Sequence, residues 1–212
     1  MKQSDFSPAL YQGTHDYVIG FHGCDKEVAL KVLYSETEHL LPSKNGYDWL
    51  GDGIYFWLND PRRALEWAEQ TMKRRPDKIK EPYVIGAIID LGVCMNLCER
   101  QSIVYLQRSY EYIQKAFSAY GLGDSFSYKN KAPDEGGFNL IRPLDYLIIS
   151  MSHILCEQDG IVYDTVYGYF QEGADAYPGA GIKEKSHIQI CVRNPNCIKG
   201  YFLPRQQTGG SV

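Results

Sequence analysis

The sequence predicts an α+β fold built round a central, mostly antiparallel sheet, and three observations predict it. Strand-like and helix-like segments alternate through the first half of the chain. Strands dominate its end, and no repeat or change of composition divides the 212 residues. A chain of that length fits one domain, or one domain with a sizeable insertion, and a single domain is expected with its core over about residues 17–203.

The elements follow in order. Tyr17 to Gly23 (YVIGFHG) is a short buried strand closed by a glycine, and Lys26 to Ser35 (KEVALKVLYS) repeats its apolar residues at helical spacing. Leu40 to Leu50, with Pro, Ser, Asn and Gly, reads as a loop. LGDGIYF, Leu50 to Phe56, is a glycine-hinged turn entering an apolar segment. Asn59-Asp60-Pro61 then supplies a cap and a first-turn proline for a helix reaching about Lys73. Tyr83 to Leu91 (YVIGAIIDL) is the clearest buried strand. Ser102 to Tyr120 is an amphipathic helix with Ile103, Leu106, Tyr110, Ile113 and Phe117 along one face. Gly121 to Asn139 is polar and glycine-rich, a long loop, and Leu140 to Cys156 a further helix. Ile161 to Phe170, rich in Val and Tyr, reads as strand, and Gln171 to Lys185 (QEGADAYPGAGIKEK) as a flexible loop. His187 to Val192 and Cys197 to Leu203 are the last strands, joined by a turn at Asn194-Pro195-Asn196. The tail 206–212 (QQTGGSV) has the composition of a disordered end.

Composition excludes several functions. A formal net charge of −4 lacks the basic footprint of a protein that holds nucleic acid by its phosphates. Lys73 to Lys80 (KRRPDKIK) reads as a solvated run ending a helix. The 17 tyrosines, each with a stacking face and a polar tip, suit a binding cleft as well as a core. No apolar window reaches the roughly 18 residues of a membrane span, and the N-terminus lacks the apolar centre of a signal peptide. Of six scattered cysteines only Cys94 and Cys98 are close, which is weak for zinc. No metal is expected, and a reduced, cytoplasmic compartment is.

Three stretches put a polar or aromatic residue at a strand end beside glycine or a loop: FHG at Phe21 to Gly23, GDGIYF at Gly51 to Phe56, and SHIQICV at Ser186 to Val192. Singly, His22 suits a core histidine, Tyr55 plain packing, and Gln189 a strand-edge amide. In this order and spacing the set resembles the ADP-ribosyltransferase fold, in the His-Tyr-Glu branch of the poly(ADP-ribose) polymerases and diphtheria toxin. FHGC matches the first motif, GDGIYFWLNDPRRALEWA the second, and AYPGAGIKEKSHIQICV the third, a strand after an acceptor-facing loop. The likeness reaches from about Val18 to Phe202, with convincing identity confined to these segments. It implies a split, mostly antiparallel sheet with flanking helices.

It also implies roles. NAD is the substrate, and cleaving its nicotinamide–ribose bond builds an oxocarbenium-like centre, as in glycoside cleavage. Gly23 holds the nicotinamide carboxamide through its backbone, and His22 binds the adenine-side ribose hydroxyls. Tyr55 stacks on nicotinamide, with Trp67 closing the other face. The glycines of GDG, Gly53 among them, let the backbone bend so that Tyr55 enters the cleft.

The third motif departs from the family, because no acidic residue lies between Ser186 and Val192 where glutamate is expected. Gln189 and His187 are the candidates, two apart and so on one strand face. Gln189 fits better, since the apolar run after it matches the family's, and an amide oxygen can orient a ribose hydroxyl. It supplies no negative charge, so single transfer rather than chain growth is implied. His187 would meet the acceptor as a general base, or only hydrogen-bond the loop. Glu172 could bring a carboxylate from that loop. The expected activity is therefore mono-ADP-ribosyl transfer to a protein or nucleic acid, as in a toxin or defence effector with an antitoxin or regulatory partner. The alternatives are NAD glycohydrolase and a degenerate module that binds NAD or ADP-ribose without chemistry.

Overall fold

The computed structural model describes residues 17–121 and 128–205, so the predicted tail at 206–212 lies outside them. Strand β1 (Tyr17–Asp25) runs straight into helix α1 (Lys26–Leu33), because the Asp25 carboxylate caps it by accepting Glu27 N–H at 3.0 Å. Its other oxygen takes the N–H groups of Lys80 and Glu81, at 2.7 and 3.1 Å. Strand β2 (Ile54–Leu58) is followed by helix α2 (Pro61–Arg74), which opens as the sequence demands. Asp60 accepts Arg63 N–H at 2.9 Å, and Pro61 fills the first turn. Strand β3 (Pro82–Asp90) pairs antiparallel with all of β1, from Tyr17 opposite Asp90 to Asp25 opposite Pro82. Then come β4 (Cys94–Asn96), α3 (Arg100–Ala119), β5 (Lys131–Pro133), β6 (Asn139–Ile141) and α4 (Pro143–Gln158). The chain ends with β7 (Thr165–Asp175), β8 (Lys183–Val192), a one-turn 3-10 helix (Pro195–Cys197) and β9 (Ile198–Phe202).

The class is α+β. Seven strands form a mostly antiparallel sheet in the order β4-β7-β8-β2-β1-β3-β9, in which β4 and β7 run parallel. β5 and β6 form a separate two-stranded hairpin. The described residues divide into two compact units, one of 17–40, 56–91 and 195–205, the other of 41–55, 92–121 and 128–194. In the first, Phe21, Trp57 and Ala64 form a core against which Trp67, Val84 and Phe202 pack. In the second, Leu50, Met95, Val166, Phe170 and Cys191 do so, flanked by Trp49, Tyr55 and Phe138.

Three expectations need correcting. Gln171 to Lys185 is mostly strand: Gln171 stands opposite Ser186 and Glu172 opposite Lys185, so only residues 176–182 turn the chain. This end of the hairpin carries charged pairs, Lys183 Nζ to Asp175 Oδ1 at 2.6 Å for one, in place of the β-branched residues that signal a strand. The loop expected over Gly121 to Asn139 contains β5, and β6 follows at once, with residues 122–127 outside those described. In α3 the buried positions are Ser102, Ser109 and Ile113, while Tyr110 is exposed. Ser109 Oγ and Ser152 Oγ of α4 are hydrogen-bonded at 2.7 Å, so small hydroxyls link α3 to α4, while of the expected apolar line Ile113 is buried and Ile103, Leu106 and Phe117 are half-buried.

Candidate functional site

The β7–β8 hairpin gathers the third motif. Alternation along β8 sets His187, Gln189 and Cys191 on one face, and their cross-strand partners Phe170, Gly168 and Val166 share it. The segment entering β2 lies against this face. The Trp49 ring is 5.0 Å from that of Phe170 and 6.1 Å from that of His187. Leu50 is fully buried over Gly168, where a Cβ would come within 2.8 Å of its Cδ2. The Gly51 carbonyl accepts the Cys191 thiol at 3.8 Å.

This packing explains the two glycines of GDG. Gly51 has φ +83°, a conformation costly for other residues. At Gly53 a Cβ would stand 2.5 Å from Cys191 Sγ and 2.7 Å from the Val192 carbonyl oxygen, so only glycine lets the chain touch β8 there. Tyr55 closes the same turn. Its hydroxyl accepts Leu50 N–H at 2.8 Å and donates to the Gly51 carbonyl at 2.7 Å. Burial, then the nearby Cys191 thiol, pushes the Tyr55 pKa well above the ordinary tyrosine value, and burial pushes the Cys191 thiol up. Both groups stay protonated at neutral pH.

Gln189 differs from its neighbours. It is 7% exposed, yet its side chain makes no hydrogen bond with any described residue. Unlike His187 Nε2 and Arg142 Nε, its polar atoms are not sealed from solvent, so a ligand can reach them. His187, equally buried, has Nδ1 2.6 Å from the Lys185 carbonyl oxygen. A carbonyl only accepts, so Nδ1 carries the proton and Nε2 is the basic nitrogen. Nε2 is sealed from solvent, so an acceptor meets it only after the ring is uncovered. Glu172 shares the face of Gln189, but it stands opposite Lys185, two cross-strand pairs or about 13 Å along.

One further group was missed by sequence reasoning. Arg142, just before α4, holds its guanidinium carbon 4.5 Å from the centre of the Phe138 ring, 5.7 Å from Phe170 and 5.9 Å from Trp49. Burial lowers its pKa, though an arginine stays charged. Nothing in the local sequence marks it, since Arg142-Pro143 reads only as a helix entry.

The remaining candidates belong to the first unit. His22 is half-buried, opposite Ile85 in β3, with its ring 5.8 Å from that of Phe56. Gly23, on the opposite face of β1, lies under α2. A Cβ there would stand 2.9 Å from the Ala64 carbonyl carbon and closer still to its oxygen. Close helix packing therefore requires this glycine whether or not it meets a ligand. Trp67 packs on Trp57 at 6.0 Å, with Lys78 Nζ 5.8 Å from its ring centre.

No family model matches the chain, and no solved structure matches it. It is similar to an uncharacterized protein of Methanocaldococcus jannaschii, 25% identical over 202 residues that cover 84% of this chain and 83% of that one. Among the described residues no group of three or more His, Cys, Asp or Glu could hold a metal ion, and no helix is long and apolar enough to cross a membrane.

Proposed function

We propose that this protein is a mono-ADP-ribosyltransferase, which cleaves NAD at the nicotinamide–ribose bond and passes ADP-ribose to a macromolecular acceptor. The Gln189 carboxamide carries the reading. It makes no hydrogen bond with any described residue and is not sealed from solvent, and it stands on the strand that resembles the one bearing the catalytic glutamate of the His-Tyr-Glu branch. Beside it lies the turn of the matching second motif. An amide kept this way has its hydrogen-bonding capacity left for a substrate.

The chemistry divides among few groups. The glycosidic C–N bond breaks with its electron pair leaving on nicotinamide, and positive charge grows on the ribose. The Gln189 oxygen accepts a ribose hydroxyl and fixes the sugar's orientation. It adds no charge, so the rate is below that of a carboxylate enzyme, and a second ribose is not activated for chain growth. The acceptor then bonds to the ribose carbon and gives up a proton, for which His187 Nε2 is the basic nitrogen. A toxin or defence effector of this kind works in the reducing cytoplasm, which suits six free thiols.

One observation favours a second reading, NAD or ADP-ribose binding without chemistry. Along the hairpin face from Val166 and Cys191, the first carboxylate is Glu172, already opposite Lys185. Nicotinamide release from NAD, measured with and without cell lysate, separates the readings. Release that needs lysate supports transfer, release without it makes the protein a glycohydrolase, and no release leaves a binding module.

A further inference from the structure

We propose that Arg142 is an oxyanion subsite that grips the diphosphate of the nucleotide substrate, over the Phe170 ring that neighbours Gln189 on the hairpin face; this rests on the NAD reading above. A guanidinium carries five N–H donors in a fixed plane. In Arg142 the Nε edge faces Asp145, with Nε 3.1 Å from Oδ2, a contact of charge without an aligned hydrogen bond. The four terminal N–H groups make no hydrogen bond with any described residue. Nε is sealed from solvent while the side chain keeps 20% of its surface open. Arg193 in the same unit shows what a structural arginine looks like. Its Nη1 donates to the Tyr163 carbonyl at 3.1 Å and to His153 Nδ1 at 3.0 Å.

The aromatic floor completes the receptor. Phe138, Phe170 and Trp49 hold the guanidinium in place, so little side-chain freedom remains to be lost when an anion docks. Burial strips it of hydration and raises the gain from pairing with an oxyanion. A planar fork matches two phosphate oxygens at once. The position fits as well. Phe170 lies opposite His187, one cross-strand pair or about 7 Å along the hairpin from the Gly168–Gln189 pair. In NAD the diphosphate hangs from C5′ of the ribose whose C1′ carries nicotinamide. A group that orients that ribose and a group that holds its phosphate must therefore be neighbours, and Arg142 reaches this face through its contact with the Phe170 ring.

The test is calorimetric titration of the full chain with pyrophosphate, ADP-ribose, nicotinamide riboside and a short single-stranded oligonucleotide. Arg142→Gln should weaken pyrophosphate and ADP-ribose roughly ten- to hundredfold, the range of lost charge-assisted hydrogen bonds. Nicotinamide riboside, which has no phosphate, should be unaffected. Arg142→Lys keeps a cation over the rings but loses the fork. It should fold like the parent and still lose most of the affinity, which covers the case in which Arg142→Gln does not fold. Unchanged pyrophosphate binding in folded Arg142→Lys overturns the subsite, and so does a parent protein that binds neither pyrophosphate nor ADP-ribose. Oligonucleotide binding lost in the variants while ADP-ribose binding is kept assigns the arginine to an acceptor phosphate and also overturns it. Pyrophosphate held through Arg142 without nicotinamide release from NAD keeps the subsite and removes the transferase. Nicotinamide release with Arg142-independent pyrophosphate binding does the reverse.

Discussion

Gln189→Met is the substitution that separates a residue kept for function from one kept for folding. It replaces a carboxamide by a thioether of similar length, in a position that is 7% exposed. The amide has no partner among the described residues and its polar atoms still meet some solvent, so removing it relieves only part of the roughly 1–3 kcal/mol that complete desolvation costs. The swap also keeps the volume of the site, so no cavity offsets that gain. Stability should therefore rise by up to about 1 kcal/mol, which for a chain of this size raises the midpoint by up to about 2–4 °C. Urea unfolding with linear extrapolation reads the free energy, and nicotinamide release on the same preparation reads the chemistry. Gain of stability with loss of release is the expected pair, a residue held against the interest of the fold. The sign decides the matter. A loss of about 1 kcal/mol, the usual worth of a satisfied hydrogen bond, shows that the carboxamide is bonded within the fold and refutes the reasoning from its isolation.

Other substitutions test neighbouring parts of the argument. Gly23→Ala drives a methyl into the Ala64 backbone carbonyl, which no side-chain rotation relieves, so urea unfolding should show a loss at the upper end of the about 1–3 kcal/mol range of overpacking. Tyr55→Phe leaves Leu50 N–H and the Gly51 carbonyl without their shared partner and should cost about 1–3 kcal/mol in the same assay. Gln189→Glu should raise NAD hydrolysis if charge is what the site lacks, measured by nicotinamide release against pH; unchanged release across the profile points to Glu172 instead. His153, held below the ordinary 6.5 at about 3 by burial and then by Arg193, stays neutral in the fold where the unfolded chain takes a proton. Stability should be full above pH 6.5 and fall by up to about 1.4 kcal/mol per pH unit from there toward 3. Urea midpoints between pH 7 and 4 should flatten in His153→Phe.

Short-range chemistry was legible in the sequence. Asp60-Pro61 announces the start of α2, and the period of two puts His187 and Gln189 on one strand face. The strand extensions of the β7–β8 hairpin were not legible, because Gln171 to Asp175 and Lys183 to Ser186 pair through their backbones while their side chains serve solvent and ion pairs. The glycines were noticed for a local reason and turned out to have distant ones, the Ala64 carbonyl for Gly23 and the Val192 carbonyl for Gly53. Tyr55 presented its ring to a reader of motifs, whereas its hydroxyl is engaged by the turn that precedes it. Arg142 was invisible for the plainest reason. Its meaning comes from rings at positions 49, 138 and 170, which no window along the chain brings together.

The route of the chain through its two units bears on how it is made. By the time Asn194 leaves the ribosome, every described residue of the second unit has been synthesised. The first unit, begun much earlier, still lacks β9, which pairs with β3 from Gly86 opposite Phe202 to Ile89 opposite Ile198. Translation thus completes the later half first and leaves the earlier half waiting for roughly half a second to a second and a half more. Throughout that interval the edge of β3 is bare along Ile85 to Ile89, IGAII, an uncharged apolar run of the kind that recruits strands from other chains. A message truncated just after Asn194 would fix that state permanently, and its product should collect in inclusion bodies although every described residue of the second unit is present.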